Sequence, residues 1–244
     1  MTPTPLSVIV FAHNQALLLR ECLRSVDWAA EIIVIDGDST DETLRVAREY
    51  TKFVHPRPAG GEAEARNNAL LLSSTERVLS LSAQEVLTPE LKEEIRLLLK
   101  NEPACNGFYL PLKHFMGNVW IRYGGFYPAF ELRLFRKGKL RDSGVDGSTE
   151  NLKHDLLRYS YRDFTDAITQ LDLQTELEAK QWIRENRKVG VGKMLRKSIG
   201  SFWRQYFSQK GHKDGVIGLF MAVQTGMREF LSFAKYWEAT RGDR

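Results

Sequence analysis

The chain has 244 residues and a mass of 28.0 kDa, with 43% hydrophobic residues, 27% charged residues and a formal net charge of +4. These are the values of a globular chain of one domain, or one domain with an appendage, and they exclude wholesale disorder, a collagen repeat and a disulfide scaffold. The charge is regional: nine of the basic residues (Arg184, Arg187, Lys188, Lys193, Arg196, Lys197, Arg204, Lys210 and Lys213) and a single acid, Glu185, fall in 181–213, so the rest of the chain is mildly acidic.

The first hundred residues alternate between two patterns. Leu6–Ala12 is a short apolar, β-branched run, which predicts a buried strand. A helix follows over Ala16–Val26, with Cys22 on its apolar face. Glu31–Ile35 predicts a second strand, ending at Asp36. Thr40–Tyr50 predicts a helix, with Ser39 or Thr40 as its cap and acidic residues in its first turn. A brief strand at Thr51–Val54, a helix over Gly61–Leu72 and a strand at Arg77–Leu81 come next. Thr88-Pro89-Glu90 then opens a helix running to Leu99. Strands alternating with helices predict a mostly parallel sheet covered on both faces. Beyond Pro103 the pattern changes. Gly107–Lys113, Asn118–Ile121 and Phe130–Phe135 are strand-like and aromatic-rich, and 139–160 has no strong period. Helices are predicted over 163–186, 191–209 and 214–238, the last two separated by Gly211 and Gly215. The composition shift places a boundary near 180, giving an α/β domain over 1–180 and a basic helical region over 181–244.

In an open α/β sheet, ligands bind beyond the carboxyl ends of the strands. The residues there are His13-Asn14-Gln15 after strand one, Asp36-Gly37-Asp38-Ser39-Thr40-Asp41 after strand two, and Ser82-Ala83-Gln84-Glu85 after strand four. A helix before strand four carries Arg66-Asn67-Asn68. This set can grip a nucleotide, Asp36 accepting from a base N–H or a ribose hydroxyl and Arg66 pairing with phosphate or lying on a base. The same residue types populate strand-to-helix turns for backbone reasons alone, so both readings stand. There is no GxGxxG and no GxxxxGK[ST], which removes the phosphate cradles of dinucleotide-binding and P-loop proteins. A nucleotidyltransferase on a similar sheet is disfavoured for the same reason. The two cysteines, Cys22 and Cys105, form no CxxC pair, so they offer neither a zinc site nor a disulfide framework.

The stretches LSVIVFAHNQ, SVDWAAEIIVIDGDSTDETL and ARNNAL, in that order, resemble the family-two glycosyltransferases of type-A fold. The segments YLPLKHFMGNVWIRYGGFYPAFELRLFRKGK (109–139), LRYSYRDF (157–164), YFSQKGHKDGVIGLF and AKYWE are similar to the lipooligosaccharide core β-1,4-glucosyltransferase-like branch. The resemblance spans residues 6–238. It implies an α/β type-A glycosyltransferase fold, a mostly parallel central sheet flanked by helices with a helical C-terminal appendage. It further implies inverting transfer of a sugar from a nucleotide-sugar, a UDP-sugar, to a lipid-linked bacterial envelope glycan. On this resemblance Ala12, Asn14, Asp36, Asp38 and Arg66 would bind the nucleotide. A divalent cation, Mg or Mn, would be held after strand four, and an acid beyond the aromatic Gly-Gly stretch would act as base. Aromatic faces pack on the apolar face of a sugar, which makes Trp120 and Tyr127 acceptor candidates together with Arg133.

Several charged positions depart from that pattern. Ser82-Ala83-Gln84-Glu85 stands where the resemblance has Asp-Ala-Asp-Glu, so Glu85 is the remaining metal-type carboxylate of the segment, with Asp38 the other at hand. Gln15 replaces a Glu, Ala129 an Asp and Arg158 a His. Val145-Asp146-Gly147 stands for the segment of the base, which makes Asp146 the candidate catalytic residue, with Asp142 and Glu150 behind it. Asp146-Gly147 reads equally as a β-turn. Arg66, Lys113, Arg122, Arg133 and Arg158 are fixed cations that can stabilise a leaving diphosphate. The alternative function is therefore a nucleotide- or glycan-binding protein that has lost the metal motif and transfers nothing.

Residues 191–209 interleave cations with Met194, Leu195, Ile199, Phe202, Trp203, Tyr206 and Phe207. This suits a helix lying on anionic lipid, and equally an amphipathic helix packed on the protein. No nucleic-acid-binding signature accompanies the charge. The N-terminus lacks the basic region of a signal peptide. The uncharged run Gly215–Met227 is shorter than the ~20 residues a spanning helix needs. The expected location is cytoplasmic, with peripheral association at the inner face of the bacterial inner membrane.

Overall fold

The computed structural model describes residues 4–58, 62–141, 144–187 and 190–241, and among these all side chains but those of 62–66. Two compact units emerge, the first formed by residues up to Lys113 with Ala129–Tyr159, the second by His114–Pro128 with Ser160 onward.

In the first unit, β1 (Thr4–Ala12), β2 (Ala29–Asp36), β3 (Val54–Pro56) and β4 (Arg77–Ser82) form a parallel half-sheet in the order β3-β2-β1-β4. The helices α1 (Ala16–Ser25), α2 (Thr43–Tyr50) and α3 (Glu62–Leu72) make the crossovers. Both faces of β1 are buried, which is why its sequence is a continuous apolar run. Leu6, Val8, Val10 and Ala12 point to the side of α1, α2 and α4 (Pro89–Lys100), where they meet Leu19, Leu23, Val46, Leu91 and Ile95. Ile9 points to the other side, into a cluster with Ile33, Ile35, Ala69 and Leu70. Cys22 is wholly buried in the first cluster, and burial pushes its thiol pKa up.

Beyond β4 lie β5 (Glu85–Leu87), β6 (Gly107–Met116), β7 (Val119–Ile121) and β8 (Ala129–Arg136), then the short β9 (Leu140–Arg141), β10 (Gly144–Val145) and β11 (Thr149–Asn151), and β12 (Leu156–Tyr161). The sheet continues β4-β8-β6-β12-β5. β8 runs antiparallel to β4, and β6 antiparallel to β8. Residues 139–160, which show no strong period, thus carry β9, β10 and β11, each too short for a periodic signal, and most of β12. The predicted cap at α4 holds: Thr88 Oγ1 accepts from the Leu91 amide at 3.2 Å. The α2 start does not. It lies at Thr43 rather than Thr40, because Thr40 and Asp41 are engaged in the preceding loop.

The second unit packs α5 (Phe164–Arg184), α6 (Val191–Trp203) and α7 (Gly215–Arg241), with a π-helical turn at Arg204–Ser208 and a 3₁₀ turn at Gly211–Asp214 between the last two. Gln224 Nε2 donates to the Ala167 carbonyl at 2.8 Å, and Lys197 meets the buried Glu229 at 2.7 Å, tying α5 and α6 to α7. The composition shift near 180 falls within the second unit, inside the unbroken helix Phe164–Arg184, which is buried at Ala167, Leu171, Thr175, Ala179 and Trp182. A Cβ on Gly218 would lie 1.9 Å from the Gly211 carbonyl oxygen. Gly218→Ala is accordingly expected to destabilise the protein by about 3 kcal/mol, since backbone has to move; an unchanged chemical-denaturation midpoint would refute the close approach. No helix among the described residues is long and apolar enough to cross a membrane.

Candidate functional site

The carboxyl ends of β1, β2 and β3 open on a cleft of about 310 Å³, lined by Ala12, His13, Gln15, Gly37 and Arg57 with Phe11 and Ile35 beneath. That is the lower end of the range for small-molecule pockets. The loops around it are tied by side chains. The Asn14 amide donates to Ser39 Oγ at 2.9 Å, and Asn14 Oδ1 accepts from the Thr40 amide at 2.8 Å. The Gln15 amide donates to Thr43 Oγ1 at 2.9 Å. Asp41 accepts from the amides of Ala16 and Thr43 at 3.3 and 2.9 Å. Desolvation works against the Asp41 charge, but the hydrogen bonds from Thr43 and Ala16 outweigh it and lower its pKa. Asn14 and Asp38 both take positive φ, 52° and 62°, as short polar residues tolerate. Gly37 donates to the Ala12 carbonyl at 2.8 Å, and a Cβ there would lie 3.2 Å from His13 Cβ.

Asp36 ends β2 between Ile35 and Gly37, which line this cleft, and is 5% exposed. Its Oδ2 accepts from the Ser39 amide at 3.0 Å. Its Oδ1 is buried and has no hydrogen-bond partner among the described residues. A carboxylate oxygen left unpaired in a protein interior is costly, and a ligand N–H or O–H donor would relieve that cost.

Of the expected nucleotide set, Ala12 lines the cleft; Asn14, Asp36 and the exposed Asp38 are chain neighbours of lining residues, and the Arg66 side chain lies outside the described residues. Arg57, at the end of β3, joins them. The sequence reading passed over it because one basic residue in a Pro-rich loop carries no spacing signal.

Glu85 is fully buried and engaged at both oxygens. Oε2 accepts from the Ser82 amide at 2.8 Å; Oε1 accepts from Arg133 Nη2 at 2.9 Å and from Arg158 Nε and Nη2 at 2.9 and 2.6 Å. Glu131, two residues from Arg133 on the same face of β8, bonds both guanidinium groups. Sequence reasoning missed Glu131, although the Glu-x-Arg spacing on a strand puts both on one face. Ser82 and Gln84 bring no carboxylate, and among the described residues no three His, Cys, Asp or Glu side chains gather as a metal site. These donors do not fit a divalent cation.

Asp146 is not brought to the cleft. Its carbonyl accepts from Asn106 Nδ2 at 2.9 Å, and Asn106 precedes Gly107, which pairs with Phe135. Phe135 in turn lies opposite Val78, beside Ser7 near the start of β1. Asp36 pairs with Ala12 at the end of β1, five residues on, or roughly 16 Å at strand rise. Asp146 therefore sits at the amino edge of the parallel strands, with Arg141 at 3.6 Å, and Glu150 on β11 lies near the same edge. Asp142 lies outside the described residues. Trp120 and Tyr127 belong to the second unit, their rings edge to face at 5.2 Å, with the Arg122 guanidinium 4.0 Å over Trp120. The bend between them is clamped by Asp214, which accepts from the amides of Arg122 and Tyr123 at 3.0 and 2.7 Å.

A parallel half-sheet with its polar cleft at the carboxyl edge, continued by antiparallel strands and followed by helices, is the type-A glycosyltransferase fold. The chain shares it with S. aureus TarS 1–349, at a TM-score of 0.50 and 15% identity over 98% of this chain and 92% of that one. The chain belongs to glycosyl transferase family 2, whose family model matches residues 7–148. It is similar to the lipopolysaccharide core biosynthesis glycosyltransferase LpsC of Rhizobium meliloti (strain 1021), 24% identical over 96% of this chain and 92% of the relative. It is also similar to a glycosyltransferase of Rickettsia bellii (strain RML369-C), 28% identical over 96% of this chain and 86% of the relative.

Proposed function

We propose that the protein transfers a sugar from a nucleotide-sugar, a UDP-sugar, to a lipid-linked glycan of the bacterial envelope, with inversion. The observation that carries the donor half is the buried, unpaired Asp36 Oδ1 at the end of β2, between the cleft-lining Ile35 and Gly37, with Arg57 lining the same cleft. A uracil N3–H or a ribose hydroxyl supplies the donor that this oxygen lacks. Arg66, on α3, is the residue proposed to reach the nucleotide from the other side. The acceptor half rests on the similarity to LpsC and on Trp120 and Tyr127 as sugar-facing residues; Arg133, expected to join them, is buried against Glu85 and Glu131 instead. The testing experiment is release of nucleoside diphosphate from a panel of sugar donors, with a bacterial glycolipid extract as acceptor. No proton is routed through Asp146, and Asp146→Asn is expected to leave release unchanged. A second reading, a nucleotide or glycan binder without transfer, draws on the sealed Glu85 and the distant Asp146. Nucleotide binding without release from any donor would favour it.

A peripheral position on the inner membrane face forms part of the same proposal. On α6 and the turn after it, Val191, Leu195, Ile199, Trp203 and Phe207 recur every fourth residue and are all exposed. Lys193, Arg196 and Arg204, also exposed, flank this stripe. Apolar and aromatic side chains enter the interface while cations meet anionic headgroups, each worth about 1 kcal/mol near the surface. Binding to vesicles containing phosphatidylglycerol is expected, weakened by salt and reduced about tenfold in Trp203→Ser/Phe207→Ser. Equal binding to neutral vesicles would refute the electrostatic part. A concentration-dependent dimer abolished by the same variant would instead make the stripe a contact between copies.

A further inference from the structure

The segment after β4 is where the family resemblance places the carboxylates of a divalent cation, and the structure fills that place differently. Arg158 lies opposite Glu85 in the β12–β5 pairing. Leu134 of β8 pairs with Leu79 of β4, which carries Glu131, three residues earlier in β8, to the level of Ser82 at the carboxyl edge. The Arg158 guanidinium bridges the two acids with all three nitrogens: Nε and Nη2 to Glu85 at 2.9 and 2.6 Å, Nη1 and Nη2 to Glu131 at 3.0 and 3.1 Å. Arg133 Nη2 bridges the same acids at 2.9 and 2.5 Å.

A cation seated between carboxylate oxygens is what a divalent metal makes of such a site. The charge balance is also the same. Two carboxylates with one divalent ion are neutral, and so are two carboxylates with two guanidiniums. We propose that the Arg133–Arg158 pair, locked on Glu85 and Glu131, stands in for the divalent cation, so that this protein handles the donor diphosphate without metal. The inference rests on the nucleotide-sugar reading above. Its physical basis is that guanidinium groups match carboxylate and phosphate oxygens through a planar fork and stay charged. Burial works against the charge of Arg158, but the fields of Glu85 and Glu131 outweigh it and raise its pKa above the ordinary value. The Glu85 oxygens that a metal would need are already bonded, while Glu131 and Arg158 keep partial access to solvent, with side chains 39% and 20% exposed.

The test is calorimetric titration of the full chain with UDP and with GDP, in EDTA and in Mn²⁺, for wild type, Arg158→Ala and Arg158→Lys. Wild-type affinity is expected to be the same in both buffers within about twofold. Arg158→Ala is expected to lose about tenfold in EDTA and to recover part of it in Mn²⁺, because the freed carboxylate oxygens can then take the ion. Arg158→Lys, which keeps the charge and loses the fork, should fall between. Wild-type binding that requires Mn²⁺, or Arg158→Ala binding as well as wild type in EDTA, would overturn the inference and leave the nucleotide reading standing. No binding of either nucleotide in either buffer would overturn both. Far-UV circular dichroism identifies a variant that has not folded, and the two wild-type titrations then decide.

Discussion

Asp36→Ala is expected to lower the affinity for a uridine nucleotide by roughly 10–100-fold while leaving the fold intact. The estimate is that of a hydrogen bond to a charged group lost from a desolvated site. The loop can tolerate the change. Asp36 holds it only through the Ser39 amide, whereas Asn14, Thr43 and Asp41 provide further ties between the loops after β1 and β2. Calorimetry reads the affinity, and far-UV circular dichroism checks the fold. If Asp36→Ala binds nucleotide as tightly as wild type, the orphaned oxygen has another purpose and the donor site is misplaced.

The largest stability effect is expected at Glu85. Its side chain is wholly buried and is the shared acceptor of Arg133 and Arg158. Glu85→Ala leaves two guanidiniums facing each other across a cavity, with only the partly exposed Glu131 as counter-charge. Breaking a buried ion pair from one side costs about 3–5 kcal/mol. For a chain of this length that is a fall in melting temperature of roughly 6–20 °C. Arg45→Ala serves as the control: its partners Glu42 and Glu49 lie with it on the surface of α2, where such pairs contribute little. A melting temperature for Glu85→Ala within the scatter of that control would mean that the network is not the keystone of this edge of the sheet.

Much of the fold was legible because its strands are buried on both faces. LSVIVFA and EIIVI need no partner to be read as strands, and Thr88-Pro89 marks a helix start by local hydrogen bonding alone. The α2 start was misplaced by three residues for a different reason. Thr40 and Asp41 are good capping residues in isolation, but here their groups bond Asn14 and Ala16, more than twenty residues away. The place of Asp36 at the carboxyl edge was legible because the residue ending a parallel strand faces the ligand edge by construction. Asp146 was not placed correctly. Distance along the chain says nothing about which edge an antiparallel return reaches, and the pairing of β8 with β4 and β6 carries the chain back to the amino edge.

The sequence by itself determined the family, the alternation of strands and helices, and the absence of carboxylates at Ser82 and Gln84. Each of these is a property of residue type, order or near-neighbour spacing. Only the tertiary structure decided what became of the lone Glu85. Its partners arrive from β8 and β12, 48 and 73 residues away, and strand pairing alone sets such distances. Burial of Glu85 and Arg133 then ties four charges, unremarkable in the sequence, into one bonded unit, because a buried charge is stable only while it keeps a partner.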